Sequence, residues 1–564
     1  MTRPAFAVTL PALLLSALTS AAAAVPPADE QLARLADAEV ARAYPGGAPG
    51  AAVLVKRGGT VVLRKGYGLA QLDFEVPVAP EHVFEIGSVT KQFTAAAILR
   101  LAEQGRLSLA DPIARFLPDF PTGGRTVTLE QLLSHTAGVP NYTDLPEWIP
   151  RWREDMSLAT LIGLFAGRPL DFEPGQSWSY SNSGYVLLGA VIEKVTGRSY
   201  EEFVESELFA PLGMTGTRYG HQEEVVAGRV AGYVKGPAGW LNAPYLSLTQ
   251  PYSAGALMST VDDLARWSDA LEAGRVVSTA SRDRMFTPAV LRGGEQDGVS
   301  TRYGLGNAVT AVAGRPAHEH GGGIHGFVAD LLRVPDGDLL VIVLSNNPTV
   351  DPHGVAHRVA ELAFGGPEPP PPTLALSAAE LDDYVGVYRV TESGDQRRFV
   401  TRAGESLRMQ RTGGSLNPLR PIGPDLFEVG EPGTTVQFRR DSAGRIAALE
   451  VDPGIGPVFR SPRTDEPLPV ERTVVAVDPA TFDALVGVYT LAPGFKLAIT
   501  RDGSGLFAQL TGQERSEIFP EAADRFFFKD VDAQIEFVRA AAGGPVTALL
   551  LRQGGEVLTA PRKP

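Results

Sequence analysis

Ser88 and Lys91 are the first residues of the chain whose types and spacing could do chemistry together. The pattern predicts a helix that starts here, and a spacing of three places both side chains on one helix face. A serine hydroxyl is a poor nucleophile until a base removes its proton. Lysine can be that base only if burial or a neighbouring cation lowers its pKa from about 10.4, and the apolar run at 93–99 could supply the burial. Alone, Ser-x-x-Lys is a weak signal.

A second polar stretch, at 179–184, immediately precedes an apolar helix pattern. A buried tyrosine at position 180 could relay protons, and the amide of Asn182 could bond both a substrate and a lysine. Taken singly, the stretch could also be an ordinary helix N-cap beside a packed tyrosine.

The third stretch, 320–327, contains His320 followed by three glycines. Glycine lets a backbone approach a ligand closely and leaves its N–H groups free to donate, which favours Gly322 and Gly323 as backbone contacts. His320 could orient or polarise a bound group. The alternative is a glycine-rich bend beside a core histidine.

Together and in this order, the three stretches resemble the serine β-lactamase and penicillin-binding protein superfamily. Within it they are most similar to the branch of class C β-lactamases, DD-peptidases, related esterases and D-aminopeptidases. The resemblance covers about residues 30–365. Family-like sequence surrounds the three stretches at 84–87, 132–138, 172–175 and 254–260.

The resemblance implies a role for each candidate residue. Ser88 is expected to be the nucleophile that forms an acyl-enzyme, and Lys91 and Tyr180 to share the general-base work. Asn182 is expected to position the substrate. The predicted function is therefore that of a serine hydrolase acting on amide bonds, including peptides with D-amino acids, or on ester bonds.

The glycine-rich stretch carries the second half of the expected site. His320 and Gly322 stand at the first and third places of the motif usually written Lys-Thr-Gly, and the N–H groups of Ser88 and Gly323 are expected to form an oxyanion hole. Histidine replaces the lysine of the β-lactamases, and a neutral or part-time cation holds a substrate carboxylate less reliably. Peptidase, amidase or esterase activity is therefore favoured over strong β-lactamase activity.

Other readings of the same residues remain open. Gly321-x-Gly323-x-x-Gly326 matches a dinucleotide fingerprint, but no βαβ unit surrounds it. A metal hydrolase that uses His318 and His320 lacks a third ligand at a recognisable spacing. A penicillin-binding sensor that acylates without turnover, and a true β-lactamase, are the main alternatives in function. We predict no cofactor, no metal ligands and no nucleic-acid partner, a small-molecule or short-peptide substrate and no stable membrane insertion; the oligomeric state stays open.

Helices and strands that could position these residues follow from periodicity and from capping signals. Strands at both sequence ends of the first 365 residues, with helices between them, predict an α+β fold with one antiparallel sheet flanked by helices. The predicted helices are 31–44, 91–104, 129–134, 184–195, 261–273 and 354–363, and the predicted strands are 51–56, 60–65, 330–334 and 339–344.

The C-terminal third contains two similar pieces. Leu381-Asp-Asp-Tyr384-Val-Gly-Val-Tyr388 in one is matched by Phe482-Asp-Ala-Leu485-Val-Gly-Val-Tyr489 in the other. Matching patterns at matching spacing indicate a duplication, and each piece reads as a small antiparallel β-barrel. Two barrels after such a unit resemble the D-aminopeptidases, in which a barrel loop restricts access to the site. The analogy suggests the loop 517–525 for that role.

The N-terminus reads as a cleavable secretory signal: Arg3, a short apolar core and the small-residue run 21–24. The chain of 564 residues has no cysteine, which fits a secreted or periplasmic protein. Its net charge is -14 and it has no basic patch, which argues against a nucleic-acid partner. The predicted organisation is a signal peptide at 1–24, a β-lactamase-like domain at 25–365, a Pro-rich linker at 366–373 and barrels at 374–465 and 474–564.

Overall fold

The computed structural model describes residues 26–236, 239–366, 373–391, 396–430, 434–492, 495–541 and 543–563. They form an antiparallel sheet flanked by helices, followed by two eight-stranded antiparallel units, which confirms the predicted fold class. The predicted signal peptide and most of the predicted linker lie outside the described residues. Among the residues described, no helix combines the length and the apolar character needed to cross a membrane.

The main sheet of the first unit has six strands in the order β10–β11–β12–β13–β1–β2. The strands of this unit are β1 Ala51–Arg57, β2 Thr60–Tyr67, β3 Leu69–Gln71, β4 Val76–Pro77, β5 Phe84–Glu85, β6 Arg218–Tyr219, β7 Tyr233–Gly236, β8 Gly239–Asn242, β9 Leu257–Ser259, β10 Ala308–Val312, β11 Arg315–Ile324, β12 Phe327–Val334 and β13 Leu339–Ser345. The first strand pairs with the last, so that Val53 lies opposite Val343. Both are nearly continuous apolar runs because layers of side chains cover both faces of the sheet.

Helices cover both faces. They are α1 Asp29–Ala43, α2 Thr90–Glu103, α3 Leu129–Leu133, α4 Leu158–Gly163, α5 Asn182–Thr196, α6 Tyr200–Val204, α7 Ala210–Leu212, α8 Tyr252–Gly255, α9 Val261–Glu272, α10 Thr279–Met285 and α11 Pro352–Ala363. On one face, α1 and α11 share a core with Val53 and Val341; on the other, α2 and α5 lie in a larger core with Ile342. Because α2 is buried nearly all round, apolar side chains lie on every side of it, and Lys91 and Gln92 are buried among them.

Strand β11 carries the glycine-rich stretch, and its successive side chains point to opposite faces of the sheet. His320 lies opposite Leu331, which belongs to the larger core, and Glu319 lies opposite Leu332, which belongs to the α1/α11 core. Pairing with β10 ends at Glu319, so β10 leaves the rest of this β11 edge open. The short 3₁₀ helix Gly87–Val89 packs against that open part.

Each C-terminal unit is an eight-stranded up-and-down antiparallel arrangement, and the first is a closed barrel. Its elements are α12 Ala378–Tyr384, β14 Gly386–Arg389, β15 Arg397–Ala403, β16 Ser406–Arg411, β17 Leu416–Gly423, β18 Leu426–Val429, β19 Thr435–Arg440, β20 Ile446–Asp452 and β21 Phe459–Thr464. The strands of the second are β22 Gly487–Ala492, β23 Phe495–Asp502, β24 Gly505–Leu510, β25 Arg515–Ala522, β26 Arg525–Phe528, β27 Ala533–Arg539, β28 Val546–Gln553 and β29 Glu556–Pro561. A bridge between Tyr489 and Arg562 nearly closes it.

The two units repeat each other in detail. The hydroxyl of Tyr388 donates to the carbonyl of Tyr384 at 2.7 Å, and the hydroxyl of Tyr489 donates to the carbonyl of Leu485 at the same distance. These residues occupy matching places in the two sequence repeats, so the duplication read from the sequence is present as a repeated local structure.

Candidate active site

A tight turn places Ser88 at the start of α2, in the 3₁₀ helix Gly87–Val89. Gly87 has φ +50°, and a Cβ there would lie 2.8 Å from the backbone nitrogen of Gly323. Only glycine allows this approach, which seats the serine against the edge of β11. The N–H of Ser88 lies in a first helical turn and therefore has no partner within the helix.

Lys91 lies one turn further on and is fully buried. Its Nζ is 3.1 Å from Ser88 Oγ, 2.8 Å from Asn182 Oδ1 and 2.8 Å from the carbonyl oxygen of Ala254. Burial holds the pKa of Lys91 well below its ordinary value. A neutral amine has two N–H groups and one lone pair. Since two of its three partners are oxygens that can only accept, the lone pair is left for the Ser88 hydroxyl.

Tyr180 completes the cluster from the turn before α5. Its hydroxyl lies near enough to Ser88 to interact with it, and Lys91 Nζ lies 4.7 Å from the centroid of its ring. Burial raises the pKa of Tyr180 above its ordinary value, although the interaction with Ser88 acts in the opposite direction. The phenol therefore stays protonated at neutral pH, so it can pass a proton on but is not a resident anion.

Asn182 is the first residue of α5, whose N-cap is Ser181. Its Oδ1 accepts from Lys91, and its Nδ2 donates to Thr143 Oγ1 at 3.2 Å. Its backbone N–H donates to Asn141 Oδ1 at 3.0 Å. Both ends of the amide are thus oriented, and the side chain borders the open cavity in front of Ser88.

The open edge of β11 supplies backbone donors. Ile324 and Phe327 close a two-residue hairpin and pair directly, and hydrogen-bonded pairs alternate along an antiparallel ladder. Gly323, one residue earlier, therefore directs its N–H away from β12 and towards Ser88. Gly322 fits so closely that a Cβ there would lie 2.0 Å from the carbonyl oxygen of Ile86.

His320 lies behind this edge and is buried. Its Nδ1 is 2.6 Å from the carbonyl oxygen of Gly321, which can only accept, so Nδ1 carries the proton. Its Nε2 then accepts from the hydroxyl of Tyr303 at 2.8 Å. Burial, helped by the nearby Lys91, lowers the pKa of His320 to about 4. His320 is therefore a neutral side chain bonded within the protein, rather than a part-time cation.

His135 is a residue of this cluster that the sequence analysis gave no role. Its Nδ1 accepts from the N–H of Ser181 at 3.1 Å, and its carbonyl accepts from the N–H of Ser179 at 3.0 Å. Its ring lies 4.3 Å from that of Tyr180. His135 thus holds the turn that carries Tyr180 through hydrogen bonds to the residues on either side of it, Ser179 and Ser181. The available signal was its place in the family-like stretch 132–138.

A cavity of about 220 Å³ opens in front of Ser88. Ser88, Asn182 and Gly323 form its polar end, and Tyr142 and Trp148 are among its apolar walls. The side chains of Lys91, Tyr180 and His320 stand behind the residues that line it. The geometry gives a nucleophile, a buried base and two backbone donors around one accessible point.

His318 and His320, the pair considered as metal ligands, do not converge on a metal site. The His318 ring stacks on Phe286 with centroids 3.9 Å apart, and both nitrogens of His320 are bonded within the protein. Neither belongs to a group of three close potential metal ligands in the described part of the chain. The case for a metal hydrolase on this strand face therefore fails.

Both barrels contact the surroundings of the cavity. Gly456 of the first barrel lies against the Trp178 ring, two residues from Tyr180. Phe495 of the second packs edge-on against Trp152 at 5.6 Å, and Trp152 lies 4.5 Å from His325, which lines the cavity. The segment suggested from the sequence, 517–525, covers most of β25 and the turn to β26, and the carbonyl of Pro520 accepts from the N–H of Val475 in the segment that leads into its own barrel. Its role in access to the site stays a prediction.

Comparisons with known proteins agree with this architecture. The family model described as Beta-lactamase matches residues 33–364, and one described as a domain of unknown function, DUF3471, matches 471–559. The chain is similar to Penicillin-binding protein 4* of Bacillus subtilis (strain 168), with 24% identity over 504 residues, 86% of this chain and 89% of the relative.

Two solved structures extend the comparison. A D-stereospecific amidohydrolase from Streptomyces sp. is similar at 27% identity and a TM-score of 0.50, covering 61% of this chain and 100% of that one. The D-amino acid amidase from Ochrobactrum anthropi SV3 is similar at 25% identity and a TM-score of 0.50, covering 59% of this chain and 97% of that one.

Proposed function

Because the chain belongs to the Beta-lactamase family, we propose that it is a serine hydrolase that forms an acyl-enzyme at Ser88 and cleaves amide or ester bonds of small substrates. The observation that carries this proposal is the contact between Lys91 Nζ and Ser88 Oγ, 3.1 Å apart, with the other two bonds of Nζ made to acceptor-only oxygens.

In the acylation step, neutral Lys91 takes the proton of Ser88 as Oγ attacks the carbonyl carbon. The negative charge that develops on the carbonyl oxygen is stabilised by the N–H groups of Ser88 and Gly323. As the tetrahedral intermediate collapses, the proton on Lys91 reaches the leaving amine or alcohol directly or through the Tyr180 hydroxyl. An ester between the substrate's acyl group and Ser88 remains.

In the deacylation step, a water attacks the acyl carbon from the open cavity. The Lys91–Tyr180 pair accepts a proton from that water and returns one to Ser88 Oγ when the ester bond breaks. The products are the free acid and the resting serine, so protons and electrons balance over the cycle.

The cavity favours substrates without a carboxylate next to the scissile bond. Of the residues that line it, none is Asp, Glu, Lys or Arg. Burial lowers the pKa of His325, the one lining residue that could titrate near neutrality. A neutral lining offers no permanent partner for the carboxylate of a β-lactam or of a C-terminal D-alanine. Amides and esters are therefore proposed ahead of β-lactams. D-amino acid amides are the first class to test because one solved neighbour is named a D-amino acid amidase and another a D-stereospecific amidohydrolase.

One substrate panel tests the proposal: D- and L-amino acid amides, D-Ala-D-Ala peptides, p-nitrophenyl esters and nitrocefin, each with the parent protein and Ser88→Ala. We expect turnover of amides or esters that disappears in Ser88→Ala and persists in the presence of EDTA. Turnover that survives the substitution contradicts the proposal.

A penicillin sensor is the second candidate, favoured by the similarity to a penicillin-binding protein. Intact-mass measurement after incubation with benzylpenicillin distinguishes it from the hydrolase. A stable adduct at Ser88, together with no turnover across the panel, supports the sensor.

We also propose that the protein is exported, on the composition of its first 24 residues. N-terminal sequencing of the secreted or periplasmic protein should give Val25 as the first residue. A cytoplasmic protein that keeps its N-terminus would contradict this.

A further inference from the structure

A second cluster of ionisable side chains lies on the α1/α11 face of β11, away from Ser88. Glu319 projects from the strand, and His353 and His357, four residues apart, share one face of α11. His353 Nδ1 lies 3.2 Å and His357 Nε2 lies 2.8 Å from the same oxygen, Glu319 Oε2. One potential ligand atom from each of the three residues lies within 4.8 Å of the other two.

Asp330 on the neighbouring strand points to the same place. It pairs with Gly321 across the ladder and is fully buried, and its Oδ1 lies 4.0 Å from His353 Nδ1. Neither of its carboxylate oxygens has a hydrogen-bond partner in the described part of the chain, nor has Glu319 Oε1. Buried polar atoms in folded proteins nearly always have a partner, so three such oxygens around two imidazoles indicate a missing cation.

We propose that Glu319, Asp330, His353 and His357 bind one divalent transition-metal ion, with Zn²⁺ as the best-matched probe. Imidazole nitrogens and carboxylate oxygens together suit zinc and its neighbours, whereas Mg²⁺ and Ca²⁺ prefer sites made of oxygen alone. The side chains of His353 and His357 are 42% and 21% exposed, which leaves a path for the ion from solvent.

The position of this site implies a structural role. Its ligands come from two neighbouring strands and one helix, so a bound ion would tie α11 to the back of the strand that carries Gly323. The nucleophile and its base lie on the opposite face of that sheet. Metal binding here therefore stabilises the first unit and does not supply the nucleophile of the proposed hydrolase.

The test uses the full chain without a polyhistidine tag, stripped with EDTA and dialysed. Zn²⁺ binding is measured by isothermal titration calorimetry and by the shift in Tm. The variants are His353→Gln and His357→Gln, made separately because both positions are partly exposed and should tolerate an amide. The matched control is His221→Gln, since His221 also contacts a glutamate, Glu201 at 2.9 Å, outside this cluster.

We expect one Zn²⁺ per chain and a saturable rise in Tm for the parent and for His221→Gln. Losing even an outer-shell partner of a bound metal costs about 10–100-fold in affinity. Each ligand variant should therefore bind Zn²⁺ at least about tenfold more weakly and lose the rise in Tm.

Equal Zn²⁺ binding by His353→Gln, His357→Gln and the parent would overturn the proposal, as would no binding by the parent. An equal rise in Tm with Mg²⁺ would also overturn it, because that result describes a site for hard cations. None of these readouts requires turnover, so the outcome is independent of whether the proposed hydrolase activity is found.

Discussion

At the scale of single residues, the chemistry proposed for Ser88 depends on an uncharged lysine inside the protein. The three partners of Lys91 Nζ are a hydroxyl, an amide oxygen and a backbone carbonyl, and none of them is a carboxylate. A carboxylate in their place would favour the ammonium form and remove the base. Full burial thus lowers the pKa of Lys91, and none of these three partners carries a negative charge that would raise it again.

Removing the base should stop acylation. We predict that Lys91→Ala forms no detectable acyl-enzyme with any ester or penicillin that acylates the parent, because general-base catalysis is worth about 10²–10⁴ in rate. Stopped-flow measurement or intact mass gives the acylation rate, and circular dichroism checks the fold. Lys65→Ala, which removes an exposed lysine paired with Asp37, is the matched control and should acylate normally. Near-parental acylation by Lys91→Ala would mean that another group is the base.

The same residue sets the expected pH dependence. Burial lowers the pKa of Lys91, and only its neutral form can accept the serine proton, so the acylation rate should rise with pH through a midpoint well below the ordinary lysine range. Acid should therefore inactivate the enzyme reversibly while the fold persists. Acylation rates from pH 4 to pH 10 on a non-ionising ester test this. A rate that stays low up to pH 9 and is still rising steeply at pH 10 would show that Lys91 has an ordinary lysine pKa of about 10.4 and is not held neutral.

Some of this site could be predicted from the sequence and some could not. The spacing of Ser88 and Lys91 predicted that they share a helix face, and the family resemblance implied that Tyr180 joins them. The structure places the three side chains together. The internal bonding of His320 could not be predicted, because the sequence does not show that Tyr303 would reach its ring. The hydrogen bonds of His135 were missed for a similar reason: they are set by a turn in which His135 adopts φ +60°.

At the scale of elements, the close approach between β11 and the turn before α2 decides the shape of the site. A Cβ on Gly322 would meet the backbone oxygen of Ile86, which has no flexible end to move aside, whereas a Cβ on Gly321 would have its nearest neighbours at 3.7 Å. The two glycines are adjacent but face opposite sides of the sheet. They form a natural pair for a test.

We predict that Gly322→Ala pushes the Ser88 turn away from β11, abolishing acylation and destabilising the protein by about 1–3 kcal/mol, the usual range for overpacking. Gly321→Ala should keep the parental acylation rate and lose little stability. Chemical denaturation and acylation rates measure both effects. If Gly322→Ala acylates as fast as Gly321→Ala, the strand edge is not part of the oxyanion hole.

Most elements could be predicted because their local signals are strong. The helices expected at 31–44, 91–104 and 184–195 are α1, α2 and α5, each with bounds within two residues. The glycine-rich stretch was recognised, but its place in the ten-residue strand β11 was not, because glycine lowers β propensity. The carboxylate–histidine cluster was missed because Glu319 and His353 are far apart in the sequence and meet only when α11 packs on the sheet.

At the scale of the whole molecule, each barrel contacts the surroundings of the cavity through a residue of its own. The first does so through Gly456 against Trp178, with an ion pair between Arg302 and Asp452 nearby. The second does so through Phe495 against Trp152. The duplication could be read from the sequence, but which loop would dock could not, because docking depends on the relative placement of three folded units.

The contact at Phe495 leads to a prediction about selectivity. Trp152 connects Phe495 to the cavity wall at His325, so Phe495→Ala should loosen that wall and raise kcat/KM for bulky acyl groups relative to small ones. The ratio of kcat/KM values should change by no more than about 200-fold, the upper end of the discrimination that a hydrophobic contact can provide. Phe507→Ala is the control, since its ring packs against Arg515 within the same barrel. Steady-state kinetics on a series of amides or esters of increasing acyl size gives the comparison. A Phe495→Ala protein that is folded and has parental size selectivity would show that the second barrel docks beside the site without restricting it.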